Sequence, residues 1–288
     1  MTDDLLDQRR RPGLGSVVLR VAVPIAVLVV GLLVATAARQ PASPQEPSSP
    51  VWRIQTGVLI SAAVIATIVL LARRLDRRPW AAFGMTSPAV AGRTSVVGVL
   101  AWLLPAVTTF AIFALAGAPL EVRAPAAQVA QTVLIVSLAV LLGEAVPEEL
   151  VFRGYLTGVL GERLHGWSII GVQAVLFVGA AQLVRGYTGL NSLALFLGMG
   201  IGLGYLRMVT ASVWTSVGFH AAFQTGAQLV LGHNVVGFDS PFLVMLAVGP
   251  VPFGVGAILV TALVRSRPEL FERSASRASS QPTARRDS

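Results

Sequence analysis

Residues 94–120 read TSVVGVLAWLLPAVTTFAIFALAGAPL and contain no charged side chain. Residues 124–143, 166–184, 186–206 and 240–264 are likewise free of charge. A run of about 20 apolar residues is long enough to cross the hydrocarbon core of a bilayer as a helix. A helix also satisfies its own backbone hydrogen bonds, which lipid cannot do. The sequence therefore predicts an all-α, polytopic membrane protein.

The composition of the whole chain supports this prediction. Hydrophobic residues make up 54% of the 288 residues and charged residues only 12%, whereas a soluble domain has about 25% charged residues. The first span ends in Ala35-Thr36-Ala37, which resembles a signal-peptidase site, but its apolar run is longer than that of a signal peptide. We therefore interpret it as a retained anchor. About eight spans are predicted: 17–38, 54–73, 95–117, 127–150, 168–184, 189–207, 211–231 and 241–264.

The arginines predict the orientation. All 22 basic residues are Arg. If the N-terminus is cytoplasmic and the spans alternate, most of these arginines fall in the inside segments, which is the bias that sets membrane topology. The prediction is a multi-pass cell-membrane protein with both termini cytoplasmic. The net charge of +8 is then explained by orientation and contact with membrane lipid, and nucleic-acid binding is not expected.

Five regions follow along the chain. They are a cytoplasmic tail (1–15), N-terminal transmembrane helices (16–125), a core with the candidate site (126–231), a last transmembrane helix (232–266) and a disordered cytoplasmic tail (267–288). The absence of Cys excludes disulfides and thiolate chemistry. None of the three His lies in an H-E-x-x-H motif, and every Asp falls outside or at the edge of a span, so an intramembrane aspartyl site is not expected.

The most informative motif is Glu148-Glu149-Leu150-Val151-Phe152-Arg153. Ionisable side chains within a span are costly in lipid and usually face the protein interior. On a helix, Glu149 and Arg153 are i,i+4 neighbours and are predicted to pair. Glu148 projects about 100° away on the helix and has no such partner, so it is the candidate general base. The alternative is a helix end at the membrane interface.

Two further polar positions stand out. His220 and Gln224 lie one turn apart on one helix face, where they can donate two hydrogen bonds to one oxyanion. The alternative for His220 is a hydrogen bond between helices. Gln182 lies near the end of the fifth predicted span, and its alternative is a polar residue at the membrane interface.

Together these residues resemble the CAAX protease and bacteriocin-processing (CPBP) family of intramembrane glutamate endopeptidases, also called type II CAAX prenyl proteases. The resemblance covers about residues 126–230. It rests on Glu148-Glu149-x-x-x-Arg153-Gly154, Phe177, Phe196-x-Gly198, Thr210-x-Ser212-x-Trp214 and His220-x-x-x-Gln224.

The resemblance implies a mechanism. Glu148 would activate water, Glu149 and Arg153 would support it, and His220 and Gln224 would stabilise the oxyanion. No cofactor is expected, and the scheme requires no metal, although the family has often been labelled metalloprotease. The implied substrate is a membrane-associated peptide or protein, prenylated only by family inference.

The chain departs from the family pattern at two positions. The family places a His four residues after Phe177, where this chain has Ala181, with Gln182 beside it. Gln182 could hold a water but cannot act as a base. The usual Asn after His220 is Gln224 here, which has a longer side chain. An alternative function is therefore a catalytically impaired relative that binds membrane peptides or partners as an immunity or scaffold protein. A transporter is a third hypothesis, although it predicts two related halves.

Overall fold

The computed structural model describes residues 13–38, 50–187 and 189–272. Most of the two predicted tails, 1–15 and 267–288, therefore lies outside the described residues. The helices are α1 (Leu14–Ala37), α2 (Pro50–Leu71), α3 (Pro88–Leu115), α4 (Ala126–Leu160), α5 (Trp167–Arg185), α6 (Leu190–Thr210), α7 (Val213–Ala227), α8 (Pro241–Val248) and α9 (Pro250–Ser266). Two short strands, β1 (Leu120–Val122) and β2 (Val236–Phe238), pair antiparallel with Leu120 opposite Phe238.

In the described part of the chain, seven helical segments are long and apolar enough to cross a membrane. They are α1, α2 with its extension to Asp76, α3 with the preceding turn from Trp80, α4, α5, α6, and α8 together with α9. Large apolar side chains such as Leu115 and Leu190, 89% and 74% exposed, cover the outside, as expected of a surface in contact with lipid. The prediction of an all-α, polytopic membrane protein is confirmed.

The seventh predicted span, 211–231, differs from the others. It is helical from Val213 and continues as a π turn over Gln228–Gly232, but it is not among the seven apolar segments. The polar side chains of His220, Gln224 and Gln228 lower its hydropathy. The helix tolerates them because it packs inside the bundle against α3, α6 and α4, where protein groups replace lipid as the neighbours.

The fourth span also differs from its prediction. It was expected to end at Leu150, just after the carboxylates, but the helix continues to Leu160, so Glu148 and Glu149 lie within it. Two π turns, Leu141–Ala145 and Leu150–Leu156, flank the short α-helical turn that carries both carboxylates. A π turn inserts an extra residue into a helix and often occurs at functional sites.

Close packing of α3 against α7 depends on two glycines. A Cβ on Gly98 would overlap the backbone oxygen of Thr215, and a Cβ on Gly218 would overlap the backbone oxygen of Ser95. Small residues allow two membrane helices to approach at backbone distance. These contacts hold α7, which carries His220, in a fixed position.

Substitution of Gly218 tests this packing. We expect Gly218→Ala to lower the free energy of unfolding by about 1–3 kcal/mol, since the added methyl group overpacks the contact with Ser95. Gly198 is the matched control, because no atom of the described ranges lies within 4 Å of an added Cβ there. Thermal unfolding of the purified variants in detergent measures both changes. Equal stability losses in Gly218→Ala and Gly198→Ala would contradict the prediction.

The first, second and fourth helices are joined by a buried ionic cluster. Arg20 of α1 donates hydrogen bonds to Asp76 and to Glu162, with Nη2 2.5 Å from Glu162 Oε2. Tyr155 also donates to Asp76, at 2.6 Å. The start of α1 therefore lies at the same end of the bundle as the end of α2 and the end of α4, as alternating spans require. That this end faces the cytoplasm stays a prediction.

Candidate active site

At the centre of the candidate site, the Glu149 carboxylate lies between the Arg153 guanidinium and the His220 imidazole. Glu149 Oε1 accepts a hydrogen bond from Arg153 Nη1 at 2.9 Å and lies 2.9 Å from His220 Nδ1. All three side chains are fully buried. The i,i+4 spacing on α4 forms the first contact, and the close approach of α7 forms the second.

Arg153 is held by more than its carboxylate partner. Its Nη2 donates to the backbone oxygen of Met199 at 3.2 Å, in α6, and its guanidinium lies 4.5 Å from the ring centroid of Phe177, in α5. A guanidinium over an aromatic ring is attracted by the ring quadrupole. The backbone oxygen of Arg153 in turn accepts from Arg207 Nε at 3.0 Å. Arg153 thus links α4 to α5 and α6.

Glu148 faces the other nitrogen of the same imidazole. Its Oε2 lies 4.0 Å from His220 Nε2, too far for a direct hydrogen bond. His220 Nε2 is buried and has no hydrogen-bond partner among the described residues. Unlike Glu149, Glu148 keeps some exposure, 15% of its side chain. One small polar group between the two atoms would satisfy both of them.

Gln224 lies one turn beyond His220, as the sequence predicts, but its side chain has a partner of its own. Its Nε2 donates to Glu144 Oε2 at 2.7 Å. An amide nitrogen carries two hydrogens, so this bond uses one of them. The structure therefore shows Gln224 engaged with a residue that the sequence did not assign to the site.

Ala181 and Gln182 border the site on α5. Ala181 lies one turn after Phe177, which contacts Arg153, and one turn before Arg185, whose Nη2 is 4.0 Å from Glu144 Oε2. Its helix face is therefore turned toward the site. Both side-chain amide atoms of Gln182 are shielded from solvent and have no hydrogen-bond partner within the described ranges. Within the described part of the chain, no hydrogen bond therefore joins Gln182 to Glu148.

A second polar group lies beside the first, and the sequence did not predict that its members come together. It consists of Glu144, Gln228, Arg53 and Arg185, and we call it the Glu144 cluster. Glu144 lies one turn before Glu148, and Gln228 one turn after Gln224, so helical spacing could have indicated these two. Arg53 belongs to α2, far away in sequence, and no local pattern indicates it.

The described residues around the candidate site do not form a metal-binding cluster. Over residues 13–38, 50–187 and 189–272, no three or more His, Asp or Glu side chains are arranged to bind one ion. His220 and Glu148 alone would offer two ligands, whereas catalytic zinc sites use three protein ligands.

The fold and site define a polytopic membrane protein in which a Glu pair, an Arg and a His meet inside the helix bundle. Residues 130–226 match the family model described as type II CAAX prenyl endopeptidase Rce1-like. This match supports a relation to the CPBP/CAAX family, and the resemblance drawn from the motifs is confirmed. A search of curated proteins and a search of solved structures gave no match.

Proposed function

We propose that this protein is an intramembrane endopeptidase of the CPBP/CAAX type in which Glu148 activates a water molecule. The observation that carries the proposal is the pair of facing atoms Glu148 Oε2 and His220 Nε2, 4.0 Å apart. Hydrolysis of a peptide bond requires a base for the water proton and a hydrogen-bond donor for the oxyanion, and Glu148 and His220 can supply them side by side.

Charge balance supports separate roles for the two glutamates. Glu149 is neutralised by Arg153, at 2.9 Å. A buried carboxylate needs a positive partner, and the cation nearest to Glu148 would be His220 with both ring nitrogens protonated. As an ionised carboxylate, Glu149 only accepts hydrogen bonds, so the Nδ1 hydrogen points to it. The Nε2 hydrogen of the protonated ring then faces Glu148 and the water.

The proposed reaction proceeds in two steps. Glu148 takes one proton from the water while the water oxygen forms a bond to the peptide carbonyl carbon. The carbonyl oxygen becomes an oxyanion and accepts hydrogen bonds from His220 Nε2 and Gln224 Nε2. The C–N bond then breaks, the proton on Glu148 passes to the leaving nitrogen, and two peptides with a new carboxyl and a new amine result.

The substrate we propose is a membrane-associated peptide or protein, because the site lies within a bundle of membrane-spanning helices. Its prenylation remains an inference from the family. The alternative, an impaired relative that binds membrane peptides as an immunity or scaffold protein, is favoured by Ala181, which stands where the family has a His. The amide of Gln182, which has no hydrogen-bond partner among the residues described, leaves a hydrogen-bonding group there but no base.

Glu148→Gln tests the proposal. We expect purified protein in lipid nanodiscs to cleave members of a membrane-peptide library, and Glu148→Gln to lower kcat by about 10²–10⁴-fold because the base is lost. Mass spectrometry of the products measures both proteins. The matched control is Glu121→Gln, on strand β1, where the side chain is 47% exposed.

Two outcomes decide between the functions. The same products at the same rate from wild type and Glu148→Gln would contradict the proposed mechanism. Binding of peptides without cleavage would favour the impaired relative.

Activity that survives chelation shows that no removable metal is needed, and loss of activity on chelation would contradict the metal-free scheme.

A further inference from the structure

The Glu144 cluster connects α2, α4, α5 and α7 beside the proposed oxyanion donors. Glu144 accepts two hydrogen bonds, one on each oxygen. Gln224 Nε2 donates to Oε2 at 2.7 Å, and Gln228 Nε2 donates to Oε1 at 3.1 Å. Arg53 Nη2 donates to Gln228 Oε1 at 2.7 Å. These three bonds form one chain from α2 to Gln224.

The chain fixes which way each amide points. A glutamine amide has a donating end and an accepting end of nearly the same shape. Arg53 can only donate, so it holds the oxygen of Gln228. A carboxylate accepts only, so Glu144 holds the nitrogen of both amides. If Gln224 were flipped, its oxygen would face Glu144, and two acceptors would be in contact.

Two cations lie close to the Glu144 carboxylate. Arg53 Nη2 lies 3.7 Å from Glu144 Oε1, and Arg185 Nη2 lies 4.0 Å from Oε2. The Glu144 side chain is only 17% exposed, and a carboxylate so far out of water is stabilised by nearby cations. Two guanidiniums from different helices supply that charge.

Helix α2 is held firmly where it contributes Arg53. A Cβ on Gly57 would lie 2.8 Å from the backbone nitrogen of Gly143, so the two helices touch at backbone distance. Ser61 Oγ donates to the backbone oxygen of Leu142 at 2.5 Å. Both contacts involve the π turn that carries Glu144. The support therefore comes from outside residues 130–226, the segment matched by the family model.

We infer that Glu144, held by Gln228 and Arg53, is a positioning residue that fixes the Gln224 amide with its nitrogen in the site. One hydrogen of Gln224 Nε2 goes to Glu144, and the second is left for the oxyanion that forms beside His220. This inference rests on the proposed function, because the second hydrogen bond exists only in the reaction. It assigns a role to three residues, Glu144, Gln228 and Arg53, that no motif of the sequence indicated.

The test is a double-mutant cycle on kcat and KM. Gln224→Ala removes the donor, and we expect kcat to fall by about 10²–10³-fold, as for other oxyanion donors. Glu144→Gln removes the carboxylate that orients it, and we expect kcat to fall by about 10²-fold, as for a misplaced group. KM stays unchanged in both, since the bond forms only in the transition state. The double variant should be no slower than Gln224→Ala alone, because Glu144 acts through Gln224.

A control and a second variant separate positioning from folding. Glu269→Gln removes a carboxylate from an Arg–Glu pair at the surface, 63% exposed, and should leave kcat unchanged. Gln228→Met keeps the charge of Glu144 but removes the amide that holds its Oε1. We expect kcat of Gln228→Met to fall about 10-fold with KM constant, because the Gln224 amide would be displaced less than in Glu144→Gln. Thermal unfolding of each variant shows whether it is folded.

The outcomes are distinct. An unchanged kcat in folded Glu144→Gln, or in folded Gln228→Met where Glu144→Gln does not fold, would overturn the inference and leave the proposed function standing. Losses that multiply in the double variant would also overturn it, since they would show that Glu144 acts independently of Gln224. If wild type shows no cleavage that requires Glu148, the proposed function is overturned, and the inference is overturned with it.

Discussion

Arg153→Met is expected to lower the free energy of unfolding by about 3–5 kcal/mol, the largest stability effect we predict. The substitution leaves the buried Glu149 carboxylate without its cation. It also removes the hydrogen bond to Met199 and the contact with the Phe177 ring. Unfolding in a titration of denaturing detergent, followed by fluorescence, measures the change.

A second substitution shows whether the uncompensated charge is the cause. In Glu149→Gln/Arg153→Met, the carboxylate is gone as well, and we expect the double variant to regain part of the lost stability. Arg267→Met is the control, because Arg267 belongs to a surface Arg–Glu pair and its side chain is 70% exposed. We expect it to change the free energy of unfolding by less than about 1 kcal/mol. A loss in Arg153→Met as small as in Arg267→Met would show that the buried pair is not the main support of the site.

Ala181→His is expected to raise kcat by about 10²-fold, the largest gain of activity we predict, by adding a group that positions or transfers a proton. Ala181 lies between Phe177, which contacts Arg153, and Arg185, which approaches Glu144. A side chain added at position 181 therefore points along the face of α5 that borders the site. Initial rates at saturating peptide, for wild type and variant, measure the gain.

The matched control for this gain is Leu183→His. It adds the same side chain to α5, at a position that is 69% exposed on the outside of the bundle. We expect no increase in kcat from it. If Ala181→His were no faster than wild type, the missing His would not be what limits kcat. An active Ala181→His beside an inactive wild type would identify the native chain as the impaired relative.

The local contacts were the ones that the sequence could predict. The pairing of Glu149 with Arg153 follows from i,i+4 spacing on one helix, and the structure shows it at 2.9 Å. The apolar segments follow from runs without charge, because lipid leaves few alternatives to a helix. The presence of His220 and Gln224 on one face of α7 follows from the same periodicity.

The contacts between distant helices were beyond sequence reasoning. The hydrogen bond between His220 and Glu149 joins residues 71 positions apart, and the bond between Arg53 and Gln228 joins residues 175 positions apart. No periodic pattern encodes either distance. The extension of α4 past Leu150 was missed because the carboxylates and Arg153 interrupt its apolar run. Glu149 and Arg153 remain in the helix because they pair with each other inside the protein, and Glu148 faces His220 there.

The cluster of Arg20, Asp76 and Glu162 has a consequence for how the chain is made. Arg20 emerges from the ribosome 56 residues before Asp76 and 142 residues before Glu162. Helix α1 therefore enters the membrane before either of these two partners exists, with Arg20 near the interface where its side chain can still reach water. It gains its first partner after α2 is made and its second only after α4 is made. The ionic cluster can therefore be completed only after Glu162, the last of its residues to be synthesised, has joined the chain.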